Sequence, residues 1–470
     1  MMKNVIARFA PSPTGFLHIG GIRTALINYI IVQQSKSLKS NSKFFLRIED
    51  TDKERSKKEF KESIINGLKW LGIRWDGEII NQSSKINRHK EVAFSLLKNG
   101  NAYKCICTTE LLEKKRLENK IKKISEKRLC TTCESDKKIQ NLEKNYCIRI
   151  KVPNDGKTLI KDKIQGNISI ENKELDNYVL LRNDGSPTYM LSVVVDDNDM
   201  GVNTIIRGND HLNNTFRQFY IYKHMKWSFP NYAHIPLIHG EDGTKLSKRH
   251  GAVDINELNN LGYIPKSIIN NLILLGWSPN NKNEIIEIDE IIEKFDINKI
   301  SKSSSIFDYK KLNYINNYYL KEEKNYKYFD NYVLNNNSLR KHMEEDNDKI
   351  RRIFNTYKSN LDFFSQIDTV IISYFDHKFE TNSNDLLNQN FNLILKEFIK
   401  ELSQIQTWDE KLLNDLINNF LIKKNMKFPY FGKPLRYVLT NSIKGPSLSA
   451  ILFALGKETS FFRLNNYIRK

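Results

Sequence analysis

Hydrophobic and polar positions alternate in a recognisable order from the first residues. Val5 to Phe9 is a short apolar run that breaks at Ala10-Pro-Ser-Pro-Thr-Gly15. Two prolines and a glycine enforce a loop there, and a helical pattern begins near Ile19. Phe44-Phe-Leu-Arg-Ile48 reads as a second strand closed by Glu49-Asp-Thr-Asp52, and Phe60, Ile64, Leu68 and Leu71 follow at helical spacing. This β-α-β-α start predicts a parallel sheet. Tyr189 to Val195, Thr204 to Arg207 and Ala233 to Ile238 read as later strands of that sheet, with a helix near residues 212–225. About 100 residues lie between the two halves. They hold the cysteines and a Lys- and Glu-rich stretch, Glu113 to Arg128, that reads as a solvated helix. Beyond residue 255 nearly everything has helical periodicity, including Pro265 to Leu275, Asp308 to Leu320, Phe391 to Leu402 and Lys411 to Ile422. The pattern therefore predicts an α/β front and an all-α rear.

Length and composition sharpen this picture. At roughly 150 residues per domain, 470 residues predict about three folded units. No run approaches the ~18 apolar residues of a membrane span, and the N-terminal segment lacks the hydrophobic stretch of a signal peptide. Five cysteines, four of them packed into one short region, argue against a disulfide framework and predict a reducing, cytoplasmic setting. The balance of 74 Lys and Arg against 55 Asp and Glu gives +19 and suggests a polyanionic partner. That excess is uneven. Residues 421–470 carry ten basic residues against the single acid Glu458, whereas residues 321–420 hold 13 basic and 17 acidic.

Two stretches carry candidate chemistry. Arg8-Phe-Ala-Pro-Ser-Pro-Thr-Gly-Phe-Leu-His-Ile-Gly-Gly21 stands where the first strand ends and a helix begins. Open α/β sheets bind ligands at such strand ends, and free N–H groups at Gly20 and Gly21 suit a phosphate. His18 alone reads more readily as a turn cap. Far downstream, Asp242-Gly-Thr-Lys-Leu-Ser-Lys-Arg249 places Lys245, Lys248 and Arg249 on a glycine-punctuated loop. Mobile cations suit a transfer in which phosphate charge grows towards the transition state.

Together with Arg47-Ile-Glu-Asp-Thr-Asp52, Asp184-Gly-Ser-Pro-Thr-Tyr189, Val194-Val-Asp-Asp197 and Ile206-Arg-Gly-Asn-Asp-His211, these motifs resemble class I aminoacyl-tRNA synthetases. Over essentially the whole chain the sequence resembles the bacterial-type glutamyl-tRNA synthetases. Two departures stand out: Gly21 replaces the second histidine of the HIGH motif, and the KMSKS motif reads Lys-Leu-Ser-Lys-Arg.

The resemblance implies a Rossmann-type parallel-sheet catalytic domain at 1–84 and 186–240 and an inserted tRNA acceptor-binding domain at 85–185. It further implies a KMSKS-type loop and helical stem-contact domain at 241–320 and an α-helical anticodon-binding domain at 321–470. The expected reaction joins L-glutamate to AMP from ATP, then passes the glutamyl group to the 3′ end of tRNA-Glu, with tRNA-Gln as a further acceptor left open. By resemblance His18, Lys245 and Lys248 act in catalysis, and His18, Gly20, Gly21, Lys245, Lys248 and Arg249 hold ATP, accompanied by Mg²⁺. Arg8 and Arg207 bind carboxylate, Glu49 meets the ammonium group, and Ser12 and Tyr189 complete the glutamate pocket. A monomer is expected. The rivals are a glutaminyl-tRNA synthetase, whose rear is a β-barrel, and a non-catalytic tRNA-binding module.

The cysteines pose a separate question. Cys105-Ile-Cys107 and Cys130-Thr-Thr-Cys133 supply two close pairs of soft ligands, as a structural Zn²⁺ site requires. Cys147 reads as core. In the rear, Lys427-Phe-Pro-Tyr-Phe-Gly-Lys433 and Pro434-Leu-Arg-Tyr437 interleave aromatics with cations, a composition suited to stacking on anticodon bases.

Overall fold

In the computed structural model, which describes residues 4–122, 127–130, 132–244, 246, 254–279 and 283–469, the front of the chain alternates strand and helix as its pattern predicts. The order is β1 (Ile6–Phe9), α1 (Ile19–Ser37), β2 (Lys43–Ile48), α2 (Lys58–Trp70), β3 (Ile80–Asn81) and α3 (Ile86–Lys98). Next come β4 (Ala102–Cys105), α4 (Thr109–Ile121), α5 (Lys137–Gln140), β5 (Cys147–Ile150), β6 (Lys157–Asp162), β7 (Gly166–Glu171) and β8 (Val179–Leu181). The half closes with α6 (Tyr189–Asp199), β9 (Thr204–Gly208), α7 (Leu212–Met225), β10 (Asn231–Ile235) and β11 (Ile238–His239).

β1, β2 and β3 pair in parallel, and a second sheet runs in the order β7-β6-β10-β9. Here β10 is parallel to both β9 and β6, while β6 and β7 form an antiparallel pair. The edges of the two sheets meet at β1 and β9, where the Asn203 N–H donates to the Ile6 carbonyl at 3.1 Å. The run β3-β2-β1-β9-β10 is thus a doubly wound arrangement whose order reverses direction between β1 and β9. Ligands bind at such a switch point, outside the carboxyl ends of the strands.

Two expectations give way. Tyr189 to Val195 is not a strand but the first part of helix α6. Every residue from Leu191 to Asp197 is buried, so the segment carries no period, and a short apolar run rich in valine fits a buried strand as well as a buried helix. Ala233 to Ile238 splits into β10 and β11, because Pro236 lacks the N–H that would continue the ladder. By contrast, α4 bears out the first part of the charged stretch expected to be a solvated helix: it ends at Ile121, residues 123–126 lie outside the described residues, and Lys127 and Arg128 are not helical. No residue of α4 is buried, and the Thr108 side chain caps the helix by accepting from the Leu111 N–H.

The chain divides into two compact units, one of residues Met1–Glu257 and Ile268–Tyr309, the other of Leu258–Ser267 and Lys310–Lys470. In the first, α3, β5, β8, α6 and α7 enclose an apolar core that includes Leu96, Ile150, Leu180, Val194 and Ile221. The second is helical. Its centres are aromatic: Phe329 stacks on Phe354 with ring centroids 4.0 Å apart, and Phe398, Phe420 and Phe431 pack edge-on or tilted. Arg463, 1% exposed, lies over the Phe379 ring at 3.7 Å and donates to the carbonyls of Leu439 and Ser373.

Candidate active site

A cleft of about 620 Å³ opens at the switch point. Arg8 reaches it from the end of β1, Glu49 from just past β2, Tyr189 from the first turn of α6 and Arg207 from the end of β9. The loop between β1 and α1 contributes Ser12, and the start of α1 contributes His18, Gly20 and Gly21. This loop is tied to the next strand end, since the Glu49 N–H donates to the Pro11 carbonyl at 3.0 Å. Eight residues singled out in the sequence are therefore brought together. Lys245, Lys248 and Arg249 lie outside the described residues. Leu246, between them in sequence, lines the cleft, and further on Asp254 bridges to His18 and the Ile255 N–H donates to the Leu17 carbonyl at 3.1 Å.

His18 is the N-cap of α1, its Nδ1 accepting from the N–H groups of Gly20 at 3.2 Å and Gly21 at 3.4 Å. A Cβ on Gly20 would stand 3.1 Å from His18 Cε1, so glycine lets the ring lie against the helix start. The capping role expected of an isolated histidine and a place in the cleft thus coincide. Behind this loop Arg23 donates to the Pro236 carbonyl at 2.8 Å and to that of Leu275, tying α1 to the turn between β10 and β11. Burial lowers the Arg23 pKa to about 10.

A buried ionic network lies under Arg8. Its Nε and Nη2 donate to the two oxygens of Asp197 at 2.9 and 3.3 Å, and Arg47 Nη1 donates to the same Asp197 Oδ1 at 2.6 Å. Arg47, fully buried, also donates to Glu49 at 3.2 Å, and Asp196 receives Gln82 at 2.7 Å beside the His89 ring, also at 2.7 Å. Burial pushes the Asp197 carboxyl upward, but Arg47 and Arg8 outweigh it and hold the group below its ordinary value. For Glu49 burial prevails, and its carboxyl is raised in spite of Arg47 and Arg8.

Arg207 is held differently. Its Nη2 donates to the Thr215 hydroxyl at 2.7 Å, the Gln218 amide oxygen at 2.9 Å and the His211 carbonyl at 3.2 Å, and its Nε donates to His234 Nε2 at 3.2 Å. The Tyr189 hydroxyl lies 3.2 Å from His211 Nδ1. Burial, reinforced by Arg207, lowers the His211 pKa to about 4, so the ring is neutral and Nδ1 can accept from Tyr189. His211 lines the cleft, and Asp197, Arg47 and His234 hold residues that line it; the sequence reading gave Asp197, Arg47, His211 and His234 no role. The first three stood inside motifs that had been noticed, and only their contacts assign them work.

The four cysteines converge. The Sγ atoms of Cys105, Cys107, Cys130 and Cys133 lie within 4.8 Å of one another, with Cys105 and Cys130 3.5 Å apart and Cys107 and Cys133 3.6 Å apart. These separations are too long for disulfides and close to the ~3.8 Å edge of a tetrahedron with ~2.3 Å metal–sulfur bonds. The hydrogen bond to Cys105, followed by burial, pushes the Cys130 thiol up to about 12. The donor set fits a soft divalent ion. Cys147 is half-buried against this cluster rather than deep in the core.

Comparison with known proteins shows the family of the chain. Residues 4–314 match the family described as tRNA synthetases class I (E and Q), catalytic domain, and residues 326–468 match an anticodon binding domain. Glutamate–tRNA ligase 2 of Zymomonas mobilis is 39% identical over 474 residues, covering 99% of this chain and 97% of that protein. The glutamate–tRNA ligase of Pelagibacter ubique is 40% identical over 479 residues, covering 99% and 100%. A crystal structure of a glutamate tRNA ligase from Elizabethkingia meningosepticum in complex with its amino acid superposes with a TM-score of 0.85 at 28% identity, covering 99% of both chains. The chain belongs to the class I tRNA synthetases for glutamate and glutamine, and within them to the glutamate–tRNA ligases.

Proposed function

We propose that the protein ligates L-glutamate to the 3′ end of tRNA-Glu, with the chemistry carried by the cleft between β1 and β9. The observation that carries this reading is the pairing of a full-length match with a cleft whose walls present Arg8 and Arg207 beside the carboxylate of Glu49. Glutamate carries two carboxylates and one ammonium group. Two guanidinium groups and one anion are the complementary set.

In the first half-reaction an oxygen of the glutamate α-carboxylate attacks the α-phosphorus of ATP, and the bond to the β,γ-pyrophosphate breaks. In the second, a terminal ribose hydroxyl of the tRNA attacks the glutamyl carbonyl and AMP leaves. Both nucleophiles are substrate oxygens, so the protein's task is positioning and charge stabilisation. Arg207 receives a substrate carboxylate, Glu49 takes the ammonium group, and Tyr189, its hydroxyl turned to His211, closes the pocket with Ser12. The Gly20 and Gly21 N–H groups are already capped by His18 Nδ1, so the nucleotide phosphates fall to the His18 ring, which lines the cleft, and to Lys245, Lys248 and Arg249. Mg²⁺ bound with the nucleotide would neutralise phosphate charge. In residues 321–470 the helical architecture speaks against the barrel-tailed glutamine enzymes. Tyr430, 73% exposed beside Lys427, is the aromatic best placed for stacking on a base, whereas Phe431 is fully buried.

ATP–pyrophosphate exchange measured with and without tRNA, using glutamate and glutamine in parallel, tests the reading. Exchange with glutamate alone among the two supports it, and exchange with glutamine overturns it. For the cysteines the proposed ion is zinc. Protein purified without chelator should carry about one zinc per chain, lost in a Cys105→Ser, Cys107→Ser double variant. Metal retained by that variant would place the site elsewhere.

A further inference from the structure

The acceptors that hold Arg207 are anchored by a strand far from it in sequence. His234, fully buried on β10, lies with its Nδ1 2.7 Å from Asp162 Oδ2, and Asp162 stands at the end of β6 in the inserted stretch. The same carboxylate accepts from the backbone N–H groups of Ile164 at 2.9 Å, Gln165 at 2.8 Å and His234 at 3.1 Å. On the far side of the ring, Nε2 faces Arg207 Nε at 3.2 Å and the Thr215 hydroxyl at 3.1 Å. Below them the Tyr232 ring stacks on His234, centroids 5.8 Å apart, and lies 5.5 Å under the Arg207 guanidinium.

These contacts fix a tautomer. Three backbone donors and a ring nitrogen around Asp162 favour its ionised form: burial pushes the carboxyl up, but the His234 and backbone hydrogen bonds outweigh it and hold it below its ordinary value. An ionised Asp162 can only accept, so His234 Nδ1 carries the proton and donates. Nε2 is then a lone-pair acceptor, which is what Arg207 Nε–H requires.

We propose that Asp162 and His234 are positioning residues for Arg207: the carboxylate sets the imidazole tautomer, and the imidazole orients the guanidinium without neutralising it. The inference rests on the reading of Arg207 as the partner of a glutamate carboxylate. A carboxylate placed directly against Arg207 would orient it equally well, but it would compete with the substrate's own carboxylate. Inserting a neutral ring between the anion and the guanidinium keeps the orientation and spares the charge. Because Asp162 lies on β6, the arrangement also ties the glutamate pocket to the inserted stretch.

The test compares glutamate KM, ATP KM and kcat for His234→Leu, His234→Gln, Asp162→Asn and Arg207→Ala in the full-length enzyme with tRNA present. Removing the acceptor in His234→Leu should raise glutamate KM about tenfold or more, with ATP KM unmoved. His234→Gln returns an acceptor oxygen and should recover most of that loss. Asp162→Asn keeps the shape but no longer dictates the tautomer. It should raise glutamate KM and move the ¹⁵N imidazole resonances of His234 away from the Nδ1–H neutral pattern of the wild type. This variant decides the matter if His234→Leu fails to fold. Glutamate KM unchanged in both His234→Leu and Asp162→Asn, while Arg207→Ala raises it, would overturn the inference and leave the role of Arg207 standing. Glutamate KM unchanged in Arg207→Ala would instead remove the reading beneath it.

Discussion

Two guanidinium groups end β1 and β9, the strands at which the two sheets meet, and the protein restrains them by opposite means. Arg8 on β1 is forked onto a carboxylate, Asp197, which Arg47 shares. Arg207 on β9 is held by a hydroxyl, an amide oxygen, a carbonyl and a neutral imidazole. Both lose their freedom, but only Arg207 keeps its charge largely uncompensated. A guanidinium already paired with a carboxylate has less attraction left for an incoming anion, while one held by neutral dipoles is fixed with its charge unanswered. The proposed work of the two differs accordingly: Arg8 meets a substrate carboxylate from a rigid, already paired position, whereas Arg207 offers one a charge that no carboxylate of the chain answers.

The largest effect should come from breaking the ionic wall. Asp197→Ala strands two buried guanidinium groups around an empty position, and the loss of a buried partner costs about 3–5 kcal/mol of stability. Chemical denaturation should show a large drop in midpoint, and a change no larger than that of a surface substitution would show that the network carries little. Arg207→Ala should do the reverse. The fold should survive, while glutamate kcat/KM falls by an amount corresponding to about 2–5 kcal/mol, because a substrate carboxylate loses a charge-assisted partner. A modest loss measured by steady-state aminoacylation would remove Arg207 from the pocket.

That division was only partly legible in the sequence. Strand ends and the glycines at Gly20 and Gly21 could be read because turn chemistry is local, whereas the roles expected of Arg8, Glu49 and Arg207 came from the resemblance of their motifs. The helix α6 could not, since residues 191–197 are buried on all sides and burial erases the period that distinguishes helix from strand. Asp197 was visible within a motif, yet its role depends on a partner 189 residues away. Asp162 gave no signal at all. It is one acid at the end of a strand, and only the pairing of β6 with β10 brings it under His234. The cysteine pairs were legible because a set of soft ligands able to share one ion stands at short spacings in the chain itself.

A smaller effect sharpens the comparison within the ionic wall. Glu49 shares Arg47 with Asp197, yet burial raises its carboxyl while Asp197 is held low. As pH falls through that raised value, Glu49 gains a proton before Asp197 does and loses the charge that meets the substrate ammonium. Glutamate KM should therefore rise on acidification while the fold persists. Glu49→Gln should raise KM at neutral pH and flatten its pH dependence. A pH profile of glutamate KM identical in wild type and variant would show that the ammonium is met elsewhere.

The smallest expected effect carries the same distinction to the surface of the helical unit. Lys423 is paired with Glu401 at 2.6 Å and Lys424 with Glu397, so both behave like Arg8, with charge already answered within the chain. Lys427 is exposed and has no ion-pair partner among the described residues, which makes it the surface counterpart of Arg207. A cation that neutralises a tRNA phosphate releases counterions, and its removal lowers the steepness with which affinity falls in salt by about one at most. Lys427→Ala should accordingly weaken tRNA binding and flatten the salt dependence. Lys423→Ala should do less, because the glutamate it leaves behind was competing for the same cation. Glutamate and ATP constants should not move in either variant. A salt titration of tRNA binding separates the two lysines: equal flattening would show that surface pairing does not shield Lys423 from the phosphate backbone, and no flattening in either would show that this helix end is merely solvated.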